Sequence, residues 1–524
     1  MANLMAPLGE PGNGLYLFLV VVFAGASIFA YGGIFGYLAG KLQGLRYLIS
    51  GPQIIDKAYA KSPGQPFEIR TPSNSHLMIT SSKLIKEVLD APSQRLSLHA
   101  VAKELLQPKY TMYGFEWQEQ RGVEGIGFVR ALRSRLTSHL PQFQPELDRI
   151  IRGCLLEELD APDANGFVPV PLFLMIKRVI TKVNCFVFFG KELSENAEFT
   201  AAALEFPQTV VLAAEMLRIT PTFMCPLVAW IITRRHRAAK TLFRYLEPEV
   251  RRRRAEMAQS DRLGGCSKPT AHADCLQWLI DTSPRKDPWS TPRMIGETLA
   301  IWFSSVHQLA MTTTFVIEDL CQHDQFVDPL RSEIQEATQE GQGLERIEEQ
   351  LPLLDSFVKE SIRCSNADAI SCRRKALDDY ILQDGSCIKK NDWVCIPQRA
   401  MMCDGSRYSN PHEFDGYRFA RANASLRQGN LTADVPDKTA STVTSASLEW
   451  PIWGLGNATC PGRFYASLIL KLITVSLLQE WECRLRDTTA PRSMVWRSSI
   501  VPRSDTVVLI RKRTVGEVDA AALG

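Results

Sequence analysis

Nothing in this sequence divides it. No Pro/Gly/Ser-rich linker, charge block or internal repeat interrupts the 524 residues, so a length that allows two to four domains reads as one main body. Cys-x-x-Cys pairs are absent among the 13 cysteines, which removes the usual signs of a zinc site or a disulfide framework. The odd number fits a reducing compartment with one thiol reserved for metal. An excess of one charge sign is lacking too: 60 Lys and Arg against 57 Asp and Glu leave +3, which gives no basis for binding nucleic acid. At 45% hydrophobic and 22% charged residues, the remainder has the make-up of an ordinary globular protein.

Charge is missing altogether from Pro11 to Gly40, and Leu15 to Ala39 is almost continuously apolar. A helix of that length, at about 1.5 Å per residue, exceeds a hydrocarbon core of about 30 Å. The rival is a cleaved signal peptide, whose apolar region is about 7–15 residues long and follows positive charge. Here Glu10 precedes the run and no Lys or Arg does, while Lys41, Arg46 and Lys57 follow it. By the positive-inside tendency the body of the chain then lies in the cytosol. The expectation is a single-pass membrane anchor over residues 1–40, in the endoplasmic reticulum, and a catalytic body over 41–524.

Chemistry concentrates at Trp453-Gly454-Leu455-Gly456-Asn457-Ala458-Thr459-Cys460-Pro461-Gly462-Arg463-Phe464. Gly456 and Gly462 flank Cys460 at four residues before and two after. Glycines let a loop reach positive φ and let main chain approach a flat ligand. Backbone N–H groups in such a loop can stabilise a thiolate, and the apolar run Phe464 to Leu472 predicts a helix whose N-terminus adds a favourable field. This suits one cysteine thiolate on haem iron. A buried core thiol is the plainer alternative.

The spacing resembles the haem-binding signature of the cytochromes P-450, Phe-x-x-Gly-x-(Arg/His)-x-Cys-x-Gly. Trp453 replaces the phenylalanine, an aromatic that still covers the sulfur side. Ala458 replaces the basic residue that contacts a haem propionate. Two further segments carry the resemblance. Glu360 and Arg363, in Leu353-Leu354-Asp355-Ser356-Phe357-Val358-Lys359-Glu360-Ser361-Ile362-Arg363, share a helix face and can pair, and they match the family's Glu-x-x-Arg. The loop Asn410 to Phe419 supplies Arg418 as the third member of the family's network, a structural role. The resemblance runs from near residue 50 to the C-terminus.

It implies a mostly α fold with small β-sheets (α+β). The apolar spacing predicts mostly helix over about 140–340, and β character at Pro66–Arg70, His76–Thr80 and Asp378–Pro397. It implies haem b as cofactor, and NADPH electrons from a separate flavoprotein reductase, since no flavin or nicotinamide segment is present. Cys460 is the implied metal ligand, with Trp453, Gly456 and Gly462 around it. Two buried propionates call for cations. Arg374 matches a family propionate contact; Arg130 and Arg133, on a helical stretch, are candidates for the other side or face solvent. Pro292 to Leu320 is expected to be the central helix crossing the haem. Where the family has an acid followed by an alcohol beside the oxygen site, this chain has His307 and Gln308. Histidine can relay protons and glutamine can donate to oxygen or hold a water; alternatively both satisfy polar groups in a helix kink.

The implied activity is a membrane-bound monooxygenase acting on a hydrophobic small molecule. The wording of its motifs is similar to fungal microsomal members that tailor secondary metabolites: terpenoids, indole-diterpenes or polyketide hybrids. Desaturation, ring rearrangement or peroxide isomerisation on the same haem thiolate is the enzymatic alternative. A membrane haem-binding or sensing protein is the non-enzymatic one.

Overall fold

The computed structural model describes residues 36–113, 129, 131–158, 163, 165–262, 272–284, 286–339 and 350–513. Long helices occupy most of 131–339, as the spacing predicts. The longest is the central helix Thr291–Gln322. Ser290 caps it by accepting from the Arg293 N–H, and Pro292 sits in its first turn, where a missing N–H has no cost. At about 1.5 Å per residue it runs about 48 Å, and no non-helical residue interrupts it. The kink considered as one setting for His307 and Gln308 is not present.

The helix Leu172–Phe189 packs along the central helix, and thirteen of its residues are buried. Trp302, fully buried, is the knot between them. Its ring meets Phe188 edge-on and Phe189 at a tilt. Its indole Nε1 donates to the Ala203 carbonyl at 2.9 Å, on the helix Ala197–Leu217. A buried indole finds its acceptor in this way, and the bond fixes how the two helices cross.

Beside the helices lies a five-stranded mixed sheet in the order Phe67–Arg70, Ser75–Met78, Trp393–Ile396, Ser371–Ala376, Leu96–Ser97. Only the Ser75–Met78 and Trp393–Ile396 pair is parallel. A register shift between Ser371 and Arg374 marks a bulge, with Cys372 at φ +50°; bulges re-aim side chains. Small two- and three-stranded sheets complete the β portion. The expected β-run 378–397 is a short hairpin, Tyr380–Ile381 with Cys387–Ile388, followed by Trp393–Ile396.

Among the described residues no helix is long and apolar enough to cross a membrane. The anchor expected over Leu15–Ala39 lies mainly outside them.

Candidate active site

Two short 3₁₀ turns, Pro451–Trp453 and Gly456–Ala458, build the loop around Cys460. The Cys460 N–H donates to the Trp453 carbonyl at 2.7 Å and closes it. Gly454 at φ +71° and Gly456 at φ +61° take the left-handed region. A Cβ on Gly454 would lie 2.9 Å from the Ala458 carbonyl oxygen, so that position admits only glycine. Gly462 is different. Its φ is −95°, and a Cβ there would meet no protein atom. It caps the helix Arg463–Glu480, which begins three residues after the cysteine. Burial pushes the Cys460 thiol up, while the Gly462 N–H and the Arg463 charge favour the thiolate.

Trp453 does not turn its indole N–H toward the sulfur. Nε1 donates to the Val443 carbonyl at 2.6 Å, and the same carbonyl accepts from Trp450 Nε1 at 3.1 Å. The Val443 N–H in turn reaches both oxygens of Asp355, at 3.3 and 3.1 Å. Asp355 also holds the Lys471 ammonium at 2.7 Å. One residue's backbone thus ties the cysteine loop to two helices. Lys359 adds a second tie through Ser441 Oγ at 2.6 Å, its ammonium lying over the rings of Phe419 and Trp450. The sequence reading missed Asp355, Lys359, Lys471 and Val443. A signal existed for three of them, since charged residues inside apolar helical runs must find buried partners.

The predicted Glu360, Arg363 and Arg418 network forms on the helix Pro352–Cys364 and the loop before Arg418. Arg363 grips Glu360 through two bonds of 2.8 Å. Arg418 Nε lies 3.2 and 3.1 Å from the two Glu360 oxygens. One carboxylate faces two guanidinium groups, and backbone carbonyls absorb the remaining donors: Met402, Pro411, Ser409, Asn410 and Glu413. All three side chains are buried. A network so fully satisfied locks the loop onto the helix.

Arg374 leaves the sheet bulge 8% exposed. Its Nη1 donates to the neighbouring Arg373 carbonyl at 2.9 Å, and no carboxylate pairs with it among the described residues. Burial lowers its pKa. Arg373 beside it is paired with Asp368. A buried guanidinium without an acid fits an anionic group of a bound molecule. Arg133 is exposed and donates to the Asn457 carbonyl at 2.7 Å, so it braces the cysteine loop from outside. Arg130 lies outside the described residues.

The central helix separates His307 from Gln308. His307 points toward the helix Ala197–Leu217, where it bonds the Pro207 backbone, and its Nε2 is buried without a partner. Burial pushes its pKa down to about 4, with Lys177 adding to the effect and the Pro207 bond opposing it. Gln308 is exposed, as is Ser304 one turn earlier. On a helix otherwise packed on most sides, these residues face open space.

The lone thiol in its glycine loop, the open space at Gly462 and the unpaired Arg374 fit a flat, anionic, iron-bearing macrocycle. The comparisons agree. The cytochrome P450 family model matches residues 35–510, and the chain belongs to that family. It is 26% identical over 496 residues to the cytochrome P450 monooxygenase AN1598 of Emericella nidulans, covering 93% of this chain and 88% of the relative. It is 27% identical over 492 residues to the cytochrome P450 monooxygenase AtmP of Aspergillus flavus, covering 91% and 88%. The retinoic acid-bound cyanobacterial CYP120A1 shares the fold, with a TM-score of 0.67 at 18% identity, over 90% of this chain and 96% of that one. The chain is therefore a monooxygenase of the oxidoreductase class. Its cofactor is haem b, its electrons come from NADPH through a reductase partner, and its substrate is hydrophobic.

Proposed function

We propose that Cys460 would hold the haem iron through its thiolate, that Arg374 would hold one propionate, and that Gln308 would face the bound substrate. The observation that carries this reading is the cysteine loop itself, one thiol preceded by the positive-φ Gly454 and Gly456 and followed by Gly462, which leaves open space beside it. Thiolate-held haem supplies the activation of O₂ that inserts one oxygen atom into a substrate. The remaining work belongs to the protein. The Val443 ties fix the loop, the Glu360 network fixes the segment before it, and Ser304 and Gln308 place donors and acceptors on the opposite wall.

The substrate we infer is a fungal secondary metabolite of terpenoid, indole-diterpene or polyketide-hybrid type, modified at a late step. The fungal relatives and the wording of the motifs support this class. We also place the chain at a membrane, anchored by residues 1–40 with the body 41–524 on the cytosolic side of the endoplasmic reticulum. Phe223, Leu227, Trp230 and Ile231, all exposed around one short apolar helix, support a second contact with lipid. Nucleic acid has no place in this reading.

The decisive experiment is the spectrum of reduced, carbon monoxide-bound protein. A red-shifted Soret band is expected from the parent and none from Cys460→Ala. A band retained in the alanine variant overturns the ligand. Incubation with NADPH, reductase and isotopic O₂ then tests the reaction, since an oxidised product without the label argues for desaturation or rearrangement instead.

A further inference from the structure

Asn184 is wholly buried in the helix Leu172–Phe189, between the equally buried Val183 and Cys185. Its Oδ1 accepts from Tyr465 Oη at 2.7 Å. Its Nδ2 donates to the Ser305 carbonyl at 3.2 Å and to Ser305 Oγ at 3.1 Å. Tyr465 lies five residues beyond Cys460, on the helix that the cysteine loop feeds. Ser305 stands three residues before Gln308 on the central helix. A chain of three side chains, buried at Asn184 and Tyr465 and half-buried at Ser305, therefore joins the helix that follows Cys460 to the turn of the central helix that carries Ser304 and Gln308.

Such an amide in an apolar helix costs free energy unless its bonds are made. A leucine would pack there without that requirement, so the bonds call for another explanation. The Ser305 carbonyl is also the acceptor that an α-helix offers to the N–H of Leu309. A carbonyl has two lone pairs, so the Asn184 bond adds to the ladder bond and pins this turn, which ends at Gln308.

We infer that Asn184 is a positioning residue. It couples the setting of Tyr465, and with it the cysteine loop, to the turn of the central helix that carries Gln308. A change on one face of the haem is then felt on the other. The inference rests on the ligand role proposed for Cys460.

The test uses full-length, haem-loaded protein and three variants: Tyr465→Phe, which removes one hydroxyl, Asn184→Leu, and the two combined. The carbon monoxide band reports whether the thiolate stays bound. Titration of the ferric protein with imidazole, which binds opposite the cysteine, reports the other wall. All variants are expected to keep the band. Each single change is expected to shift the imidazole Kd in the same direction by about fivefold or more, and the double variant to shift it no further than Asn184→Leu alone. Shifts that multiply in the double variant, or a Tyr465→Phe value within about twofold of the parent, overturn the coupling. Loss of the band in the variants alone assigns the chain to haem retention and also overturns it. Absence of the band in the parent instead defeats the Cys460 reading. Should Asn184→Leu not fold, the Tyr465→Phe titration decides by itself.

Discussion

The Lys471 ammonium and the Asp355 carboxylate pair at 2.7 Å with side chains 0% and 5% exposed, joining the helix that follows Cys460 to the helix that carries Glu360. The pair would be two costly buried charges if Val443 did not complete it through its N–H.

Breaking this pair from one side leaves a buried charge. Asp355→Ala is expected to cost about 3–5 kcal/mol and to loosen the cysteine loop, because Val443 loses its anchor. Lys471→Met with Asp355→Leu is expected to recover much of the stability while haem binding stays weakened. Denaturant midpoints and haem content measured side by side check this. Equal haem retention in all variants would show that Val443 does not need Asp355.

Glu360→Gln keeps the shape of the side chain and removes the carboxylate that faces Arg363 and Arg418. The expectation is a loss of similar size, about 3–5 kcal/mol, seen as little haem-loaded protein. Well-folded, haem-replete protein that merely turns over slowly would assign the network a different role.

Glu318, 0% exposed on the central helix, has one oxygen on Arg492 Nε at 2.9 Å and the other without a hydrogen-bond partner among the described residues. Burial pushes its pKa up to about 7, against the pull of Arg492. Its folded value lies above that of an unfolded glutamate, near 4.3. The folded state therefore binds the extra proton between these values, and stability falls as pH rises from about 4.5 to 7. The contribution is on the order of 3–4 kcal/mol. Glu318→Gln is expected to flatten that slope in urea midpoints taken across this range. An unchanged slope would exclude Glu318 as its source.

With its pKa pushed down to about 4, His307 is a neutral imidazole near neutral pH whose N–H serves the Pro207 carbonyl, so it holds no acidic proton to relay there. Replacing it by alanine is expected to lower stability by about 1–3 kcal/mol through loss of the Pro207 bond and packing. The yield of product per NADPH should change little. Gln308→Ala is expected to do the reverse, altering substrate-binding spectra and coupling with little effect on stability. A large coupling defect in His307→Ala with unchanged stability would restore the relay.

Much of the fold was legible because helix periodicity over long runs survives any tertiary context. The predicted helical middle, the strands at Phe67–Arg70 and Ser75–Met78, and the cysteine loop followed by its helix all appear. Glu360 and Arg363 were legible as a pair from their spacing on one helix face, while Arg418 entered as the third member through the family resemblance. Of the two reasons the sequence offers for its glycines, only close approach applies to Gly462: its backbone is not left-handed, and what distinguishes it is the open space beside it. Arg133 and His307 were placed by position along a helix, and only the helix's rotation could tell which face they occupy.

The sequence by itself determined the local chemistry: one cysteine in a glycine loop, a helix after it, and a carboxylate with an arginine three residues on, each fixed by spacings of a few residues. Tertiary structure alone decided which side chains share a wall. Asn184 meets Tyr465 across 281 residues and Ser305 across 121. Val443 meets Asp355 across 88, and Lys471 meets it across 116. Partnerships of that span depend on how helices rotate and cross, which is set by packing of the whole core and leaves no local period in the chain.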